Sequence, residues 1–271
     1  MRIGKKDFDF TSSRATIMGI LNVTPDSFSD GGRYNNLDAA KRHALQLVED
    51  GADIIDIGAE STRPGHQQIT IEEECERLLH IITTLKDLTD VPLSVDTYRA
   101  PVAKAALEAG ADMINDIWGL TYDSNMAGVV AEAGCPVCVM HNRDNTDYKD
   151  FVRDYFYDIY KSIEIAKNAG IQEDQIILDP GIGFAKSFEW DSLAMKHLDA
   201  LASLGYPVLL GTSRKRFIGN LLDLPVDERD EGTTASTLYG YLHGARIFRV
   251  HNVKMNRRCV DAFAQMEALH G

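Results

Sequence analysis

A single pattern of hydrophobic and polar positions recurs along the chain. Each copy has a segment with helical period, then a glycine, then a short apolar run that ends in a polar residue. The copies read EDGADIIDIGAE, EAGADMINDIW, EAGCPVCVMH, NAGIQEDQIILDPG, SLGYPVLLGTS and HGARIFRVHN. Their glycines stand where a helix C-terminus favours a left-handed residue, at Gly51, Gly110, Gly134, Gly170, Gly205 and Gly244. The pattern predicts helices and strands that alternate along the chain.

Eight apolar runs are short enough to be buried strands. Including TIMGILN and PLSVDT, they lie near residues 16–22, 53–59, 92–96, 113–117, 136–140, 176–179, 207–212 and 247–250. Between them the period becomes helical, as on the face formed by Leu37, Ala40, Ala44, Leu47 and Val48. Each interval of roughly 20 to 40 residues suits one strand and one crossover helix. With no linker or composition break, the pattern predicts an α/β fold: a (β/α)8 TIM barrel in a single domain over residues 1–271.

Two stretches fall outside this repeat. Residues 2–13 are polar, and we expect them to form a short N-terminal hairpin that covers the bottom of the barrel. Residues 220–232, NLLDLPVDERDEG, are too long for a plain βα loop. They predict a helix extension or an ordered excursion before a helix that starts at Thr233.

Composition narrows the classes of function. The net charge of −13 argues against a nucleic-acid-binding protein, which needs a basic stripe, but not against an anionic substrate, because steering depends on the local field. The chain has no run of about 18 apolar residues and no signal-like N-terminus, so we expect a cytoplasmic protein that does not bind membranes. Cys135 and Cys138 spell CxxC, but in a buried strand they would face opposite sides. We therefore expect reduced structural cysteines and no zinc site.

The polar strand ends are the candidate site. In TIM barrels the active site forms at the C-terminal ends of the strands, and polar groups buried there without a partner would be costly. These ends are Asn22, Glu60, Asp96, Asn115, His141, Asp179, Ser213 and His251. One such residue could be a satisfied polar group of the core, whereas several that converge indicate a site. The first end opens into the loop of GILNVTPDSFSDGG, residues 19–32, which is dense in turn-forming residues.

In these same places the chain resembles the dihydropteroate synthase family over essentially its whole length. The matching motifs are NVTPDSFSDGG (22–32), ESTRPG (60–65), SVDT (94–97), IND (114–116), DPGIGF (179–184), TSRK (212–215) and RVHNV (249–253). The resemblance implies that 6-hydroxymethyl-7,8-dihydropterin pyrophosphate and p-aminobenzoate are joined to give 7,8-dihydropteroate and pyrophosphate, with Mg²⁺. It also implies a homodimer.

A pterin presents an amide-like edge of alternating donors and acceptors. Carboxylate, amide and ammonium groups can bind such an edge, and Asp96, Asn115, Asp179 and Lys215 match the family's positions. For Asp96 an alternative is that it caps a helix that begins near Pro101.

The pyrophosphate leaving group calls for cations. Arg249 and His251 alternate on the last strand and should point the same way, toward the barrel mouth. Asn22 offers a neutral oxygen to Mg²⁺, which takes few protein ligands. His141 is better explained as a core or supporting residue.

The amine partner carries an aromatic ring and a carboxylate. Phe28, Pro64 and Phe184 could form walls for the ring, while Thr62 and Arg63 lie in a loop suited to closing over it.

Lys215 and a helix that starts near Ser213 could bind the carboxylate. Arg216 departs from the Ser of some family members, which leaves this contact open. The resemblance also favours a dissociative path, in which the C–O bond to pyrophosphate breaks first and leaves a short-lived pterin cation. Asp30 matches the family position expected to face that cation, although an Asp before two glycines is also a turn former.

Two other functions stay open at this level. A pterin-binding methyltransferase module would share the barrel and the pterin residues but would not need Arg63 or a pyrophosphate pocket. A catalytically silent pterin-binding barrel would tolerate loss of the residues that the reaction needs.

Overall fold

The structure, a computed structural model, describes residues 1–23, 33–59 and 68–269. Its strands are β1 (Arg2–Ile3), β2 (Lys6–Asp7), β3 (Thr16–Asn22), β4 (Ile54–Gly58), β5 (Leu93–Asp96), β6 (Met113–Asp116), β7 (Val137–Met140), β8 (Ile176–Asp179), β9 (Leu209–Leu210) and β10 (Ile247–Val250). Its helices are α1 (Arg33–Glu49), α2 (Ile71–Lys86), α3 (Ala100–Glu108), α4 (Met126–Ala133), α5 (Phe151–Asn168), α6 (Phe188–Lys196), α7 (Leu198–Ala202), α8 (Arg216–Leu222), α9 (Asp230–Leu242) and α10 (Val253–Ala268). Alternation of helix and strand is as predicted.

The strands β3 to β10 form one parallel sheet that closes on itself. Their order is β8-β7-β6-β5-β4-β3-β10-β9, and a parallel bridge between Leu178 and Val208 joins the two ends. This is a TIM barrel with crossover helices outside it, so the predicted fold class is confirmed. β1 and β2 form the predicted antiparallel hairpin, and Ile3 from it is fully buried beneath the barrel.

Side chains along each strand point alternately into and out of the barrel, so every second residue fills its interior. The lower layer is apolar and consists of Ile3, Met18, Ile54, Met113, Cys138, Ile177, Leu209 and Ile247. Two residues further along four of these strands the side chains are polar, at Asp56, Asn115, Asp179 and Arg249. Because side chains two apart share a face, the interior changes from apolar to charged toward the C-terminal ends of the strands.

Local signals explain most of the boundaries. The six glycines singled out at helix ends have φ between 62° at Gly134 and 109° at Gly110, which confirms their left-handed conformation. Cys135 packs outside the barrel and Cys138 inside it, and both are free thiols, as expected.

Three predicted boundaries were wrong. The strand at 207–212 is only Leu209–Leu210; Pro207, which has no N–H to donate to a neighbouring strand, lies before it. The helix expected near Ser213 begins at Arg216, because Lys215 is still extended (φ −68°, ψ 161°). The helix expected from Thr233 begins at Asp230.

The excursion before α9 is ordered, as one of the two predictions had it. α8 ends at Leu222, Asp223 after it has a left-handed conformation, and a 3-10 turn follows at Val226–Glu228. None of the helices within the described ranges is both long and apolar enough to cross a membrane.

Candidate active site

A buried ion-pair cluster lies at the upper end of the barrel interior. Arg249 on β10 donates from Nε to Asp56 Oδ2 at 2.6 Å and from Nη2 to Asp96 Oδ2 at 2.8 Å. Asn115 Nδ2 donates to the same Asp56 oxygen at 3.1 Å. Asp56 is fully buried and Asn115 is nearly so. Four strands therefore place their polar side chains in one network.

The cluster is short of hydrogen-bond donors. Among the described residues, Asp56 Oδ1, Asp96 Oδ1 and the buried hydroxyl of Ser94 have no hydrogen-bond partner. Burial raises the pKa of Asp96 to about 7; the guanidinium of Arg249 opposes the shift and the Asp56 carboxylate adds to it. Acceptors left unsatisfied in a buried site favour a ligand that brings N–H donors.

A second group converges from the other side of the barrel mouth. A methyl group built on Gly211 would lie 3.8 Å from Asp179 Oδ2, 3.8 Å from Arg249 Cβ and 3.9 Å from Lys215 Nζ. Asp179 Oδ1 accepts from Gly181 N at 2.7 Å. Burial raises the pKa of Asp179, while Lys215 opposes the shift. Burial lowers the pKa of Lys215 to about 8, while Asp179 opposes that shift in turn. The two groups stabilise each other's charges.

Lys215 is also bound to the loop that follows β8. Its Nζ donates to Ile182 O at 2.6 Å and lies 4.6 Å from the centre of the Phe184 ring. A cation over an aromatic face is attracted by the ring quadrupole. The predicted pterin residue and the predicted ring wall are thus neighbours.

Asn22 and His251 lie at the rim. Asn22 is exposed; a methyl group built on Gly58 would lie 3.5 Å from Asn22 Oδ1 and 3.7 Å from Asp96 Cβ. His251 Nδ1 and Ser213 Oγ are 2.9 Å apart, and His251 N donates to the same hydroxyl at 3.1 Å.

The exposed amide oxygen of Asn22 fits Mg²⁺, a hard cation that keeps several waters and binds substrate phosphates. Within the described residues there is no group of three or more His, Cys, Asp or Glu that could hold a metal ion.

Comparison with known proteins decides the family. Residues 18–251 match the family of pterin-binding enzymes. A dihydropteroate synthase of Clostridium beijerinckii is 52% identical over 259 residues, 95% of this chain and 96% of that one. A solved dihydropteroate synthase of Clostridium difficile, in the presence of pteroic acid, has a TM-score of 0.91 at 47% identity and covers 98% of each chain. The enzyme of Xanthomonas albilineans in complex with 7,8-dihydropteroate has a TM-score of 0.87 at 39% identity over 94% of each chain.

The chain belongs to the dihydropteroate synthase family. It is a transferase of folate biosynthesis, and the resemblance inferred from the seven motifs is confirmed.

The structure brings together most of the residues predicted for a dihydropteroate synthase site. Those described are Asn22, Asp96, Asn115, Asp179, Phe184, Lys215, Arg249 and His251. Asp30, Thr62, Arg63 and Pro64, together with Phe28, lie outside the described residues. Arg216 is exposed at the first position of α8.

Two alternatives are decided. Ala100 N, at the start of α3, donates to Asp123 Oδ2 at 2.9 Å, so the hypothesis that Asp96 caps that helix is wrong. His141 is buried and bonds to Asp158 and Lys186, in keeping with a supporting residue.

Sequence reasoning missed Asp56. It stands inside the apolar run DIIDIG, and a charged residue within a strand that is otherwise buried was the available signal. It also missed Lys186, which lies two residues beyond the DPGIGF motif.

Proposed function

We propose that the cluster around Asp96, Asp179 and Arg249 is where this chain joins 6-hydroxymethyl-7,8-dihydropterin pyrophosphate to p-aminobenzoate. The observation that carries the proposal is the pair of buried carboxylate oxygens without partners, Asp56 Oδ1 and Asp96 Oδ1, on the two residues that Arg249 bonds. A pterin supplies the N–H donors that these acceptors need. An analogue without those donors would leave buried carboxylates unpaired and should be rejected.

The orientation of Asn115 supports this arrangement. Asp56 accepts hydrogen bonds and bonds Arg249, so the amide nitrogen of Asn115 faces Asp56. This leaves Asn115 Oδ1 and its second N–H for the ligand. An adjacent acceptor and donor suit the ring nitrogen and amino group at one edge of a pterin.

The pyrophosphate would lie toward the rim. The guanidinium of Arg249 already bonds two carboxylates, so we place it at the floor of the pterin pocket with its charge directed at the reacting end. His251 and Asn22 are closer to the mouth. When bound, Mg²⁺ would neutralise charge on the leaving group, and Asn22 Oδ1 would hold it.

We place the site for p-aminobenzoate next to Lys215 and Phe184. Thr62, Arg63 and Pro64, which lie outside the described residues, remain predicted parts of that site. Phe184 is half-buried and offers a ring face to p-aminobenzoate. Lys215 lies over that ring and can neutralise a carboxylate. Because α8 begins only at Arg216, its N–H groups are shifted from the place expected near Ser213.

The chemistry favours C–O cleavage before attack by the amine. An aromatic amine is a weak nucleophile, and a pterin can delocalise positive charge at its exocyclic CH₂ group. Buried carboxylates at Asp96 and Asp179 would stabilise that cation electrostatically, and Asp30 is proposed to face it. A homodimer in the cytoplasm, expected for this family, belongs to the same proposal.

A coupled assay of pyrophosphate release tests the function. Steady-state release coupled to formation of 7,8-dihydropteroate should require both substrates and Mg²⁺, and Asp179→Asn should lower it strongly at pterin concentrations near KM. Asp116→Asn is a matched control, since Asp116 is a buried carboxylate next to Asn115 that bonds only the backbone N–H groups of Trp118 and Leu120 in the described part of the chain. Equal loss in both variants would refute the proposed site.

Positional isotope exchange tests the order of bond cleavage. Bridging oxygen label should scramble when a non-nucleophilic p-aminobenzoate analogue is bound, and free pyrophosphate is measured alongside. Absence of both scrambling and amine-independent cleavage in a ternary complex, with isotope effects that show concerted bonding, would exclude the dissociative path.

A further inference from the structure

A buried ammonium group lies under the loop between β8 and α6. Lys186 is 4% exposed, and its Nζ donates to Gly181 O at 2.9 Å, to Phe184 O at 3.0 Å and to His141 Nδ1 at 2.8 Å. An ammonium group has three donors, and these partners use all of them. Lys186 therefore binds the protein's own loop and leaves no donor for a substrate.

The loop has a conformation that needs such support. Gly181 (φ 67°), Gly183 (φ 85°) and Ala185 (φ 46°) are all left-handed, which is unfavourable for the alanine. A methyl group built on Gly181 would lie 1.9 Å from His141 O, so the loop backbone packs directly on the end of β7. Residues in sparsely populated conformations persist where their surroundings hold them.

The histidine that accepts from this ammonium is itself fixed by hydrogen bonds. Because Lys186 donates to His141 Nδ1, the ring proton is on Nε2, which donates to Asp158 Oδ2 at 3.2 Å. Arg143 Nε donates to the same Asp158 oxygen. Burial and the charge of Lys186 lower the pKa of His141 to about 4, so the ring is a neutral acceptor near neutral pH.

Charge on Lys186 is costly in this place. Burial lowers the pKa of Lys186 to about 7, and the carboxylates of Asp191 and Asp179 oppose that shift. The loop carbonyls and the imidazole offset the cost of burying the charged form. Neighbouring side chains also hold the loop: Tyr148 OH donates to Ala185 O at 3.0 Å, and Gly183 N donates to Asp191 Oδ1 at 2.7 Å.

The loop carries groups that face the site. Ile182 O accepts from Lys215, and the Phe184 ring lies against the same ammonium. Asp179, in contrast, ends a barrel strand and is held by Gly181 N. Movement of the Phe184 backbone would shift the ring wall more than the pterin anchor.

We propose that Lys186 is a positioning residue for the amine half of the reaction, which fixes the Phe184 ring and thereby the binding of p-aminobenzoate without touching either substrate. This inference rests on the proposed function. The inference gives the two lysines different roles: Lys186 holds the loop that carries the Phe184 ring, and Lys215 contacts the ligands.

The test is Lys186→Met, which keeps the stem and removes the donors. We expect KM for p-aminobenzoate to rise at least tenfold, while the dissociation constant of the pterin substrate, measured by calorimetry, changes less than threefold. In a Phe184→Leu background the same substitution should raise KM less than twofold further, because the wall it positions is gone. If Lys186→Met does not fold, His141→Leu is used instead, since it removes one acceptor of the ammonium. It should raise KM for p-aminobenzoate about threefold and leave the dissociation constant of the pterin substrate nearly unchanged.

Lys86→Met is the matched control, because Lys86 Nζ donates to both oxygens of Asp112 at 3.1 Å at the other end of the barrel. It should leave KM unchanged. The inference is overturned if pterin binding weakens as much as KM rises, if the effects of Lys186→Met and Phe184→Leu multiply independently, or if the control behaves like the test variant. Wild-type protein in the same assay separates the two proposals, since failure of wild type to use p-aminobenzoate would count against the function itself.

Discussion

Removal of the guanidinium of Arg249 should destabilise the barrel in a pH-dependent way. In Arg249→Met the stem still packs, but Asp56 and Asp96 lose the cation that bonds them at 2.6 and 2.8 Å. Breaking a buried ion pair by removing one partner costs about 3–5 kcal/mol, because a charge is left buried and unpaired. Since two carboxylates share this cation, we expect the upper end, about 5 kcal/mol at pH 8. That is a large part of the roughly 5–15 kcal/mol that stabilises a native domain.

The loss should be smaller at pH 5. With Arg249 present the pKa of Asp96 is already raised to about 7, and removal of the cation raises it further. At pH 5 the folded variant can then bind a proton on Asp96, which relieves the repulsion. The wild type takes up the same proton below pH 7, so only the further rise of the pKa in the variant reduces the loss. At about 1.4 kcal/mol per pKa unit, and with pH 8 as the upper limit of the range, about 1 kcal/mol of the loss should be recovered between pH 8 and pH 5.

Urea unfolding at both pH values measures this difference. Arg153→Met is the control, since Arg153 bonds the neighbouring Asp154 at the surface and its loss should change little at either pH. If Arg249→Met is too unstable at pH 8, addition of Asp56→Asn should restore part of the stability. A loss below about 1 kcal/mol at pH 8, or an equal loss at both pH values, would refute the view that Arg249 neutralises two buried carboxylates.

Three further predictions concern single residues. Asp96→Asn should remove a pH dependence of the ligand-free protein: the folded pKa of about 7 exceeds the ordinary value of 3.8, so this contribution to stability is complete below pH 3.8 and is lost as pH rises through about 7. Thermal unfolding between pH 4 and pH 8 checks it, and a profile parallel to wild type would contradict it. Asp179→Asn should weaken binding of the pterin substrate by about 2–3 kcal/mol in calorimetry, because donors of the ligand lose a buried charged partner; binding within twofold of wild type would exclude Asp179 as the pterin anchor. Arg63→Ala should raise KM for p-aminobenzoate or lower turnover with pterin affinity nearly unchanged, and a collapse of pterin affinity would show that Arg63 does not act in the amine half of the reaction.

Local sequence determined the elements of this barrel and the set of polar groups at its mouth. The strands Thr16–Asn22, Ile176–Asp179 and Ile247–Val250 have the predicted bounds, because the change from helical to strand period and the glycine stops are properties of a few neighbouring residues. The motifs at the strand ends likewise identified the family before any contact was known.

Tertiary structure decided which of those groups meet. Asp56 lies 193 positions from Arg249, and nothing in the run IIDIG shows that its carboxylate shares that guanidinium with Asp96. Lys186 looks like a surface lysine in the chain, yet closure of β7 against β8 buries it between His141 and the loop carbonyls. Ion pairing and burial depend on sheet register and barrel closure, which join residues far apart in sequence, so the network under the site could be found only in the folded protein.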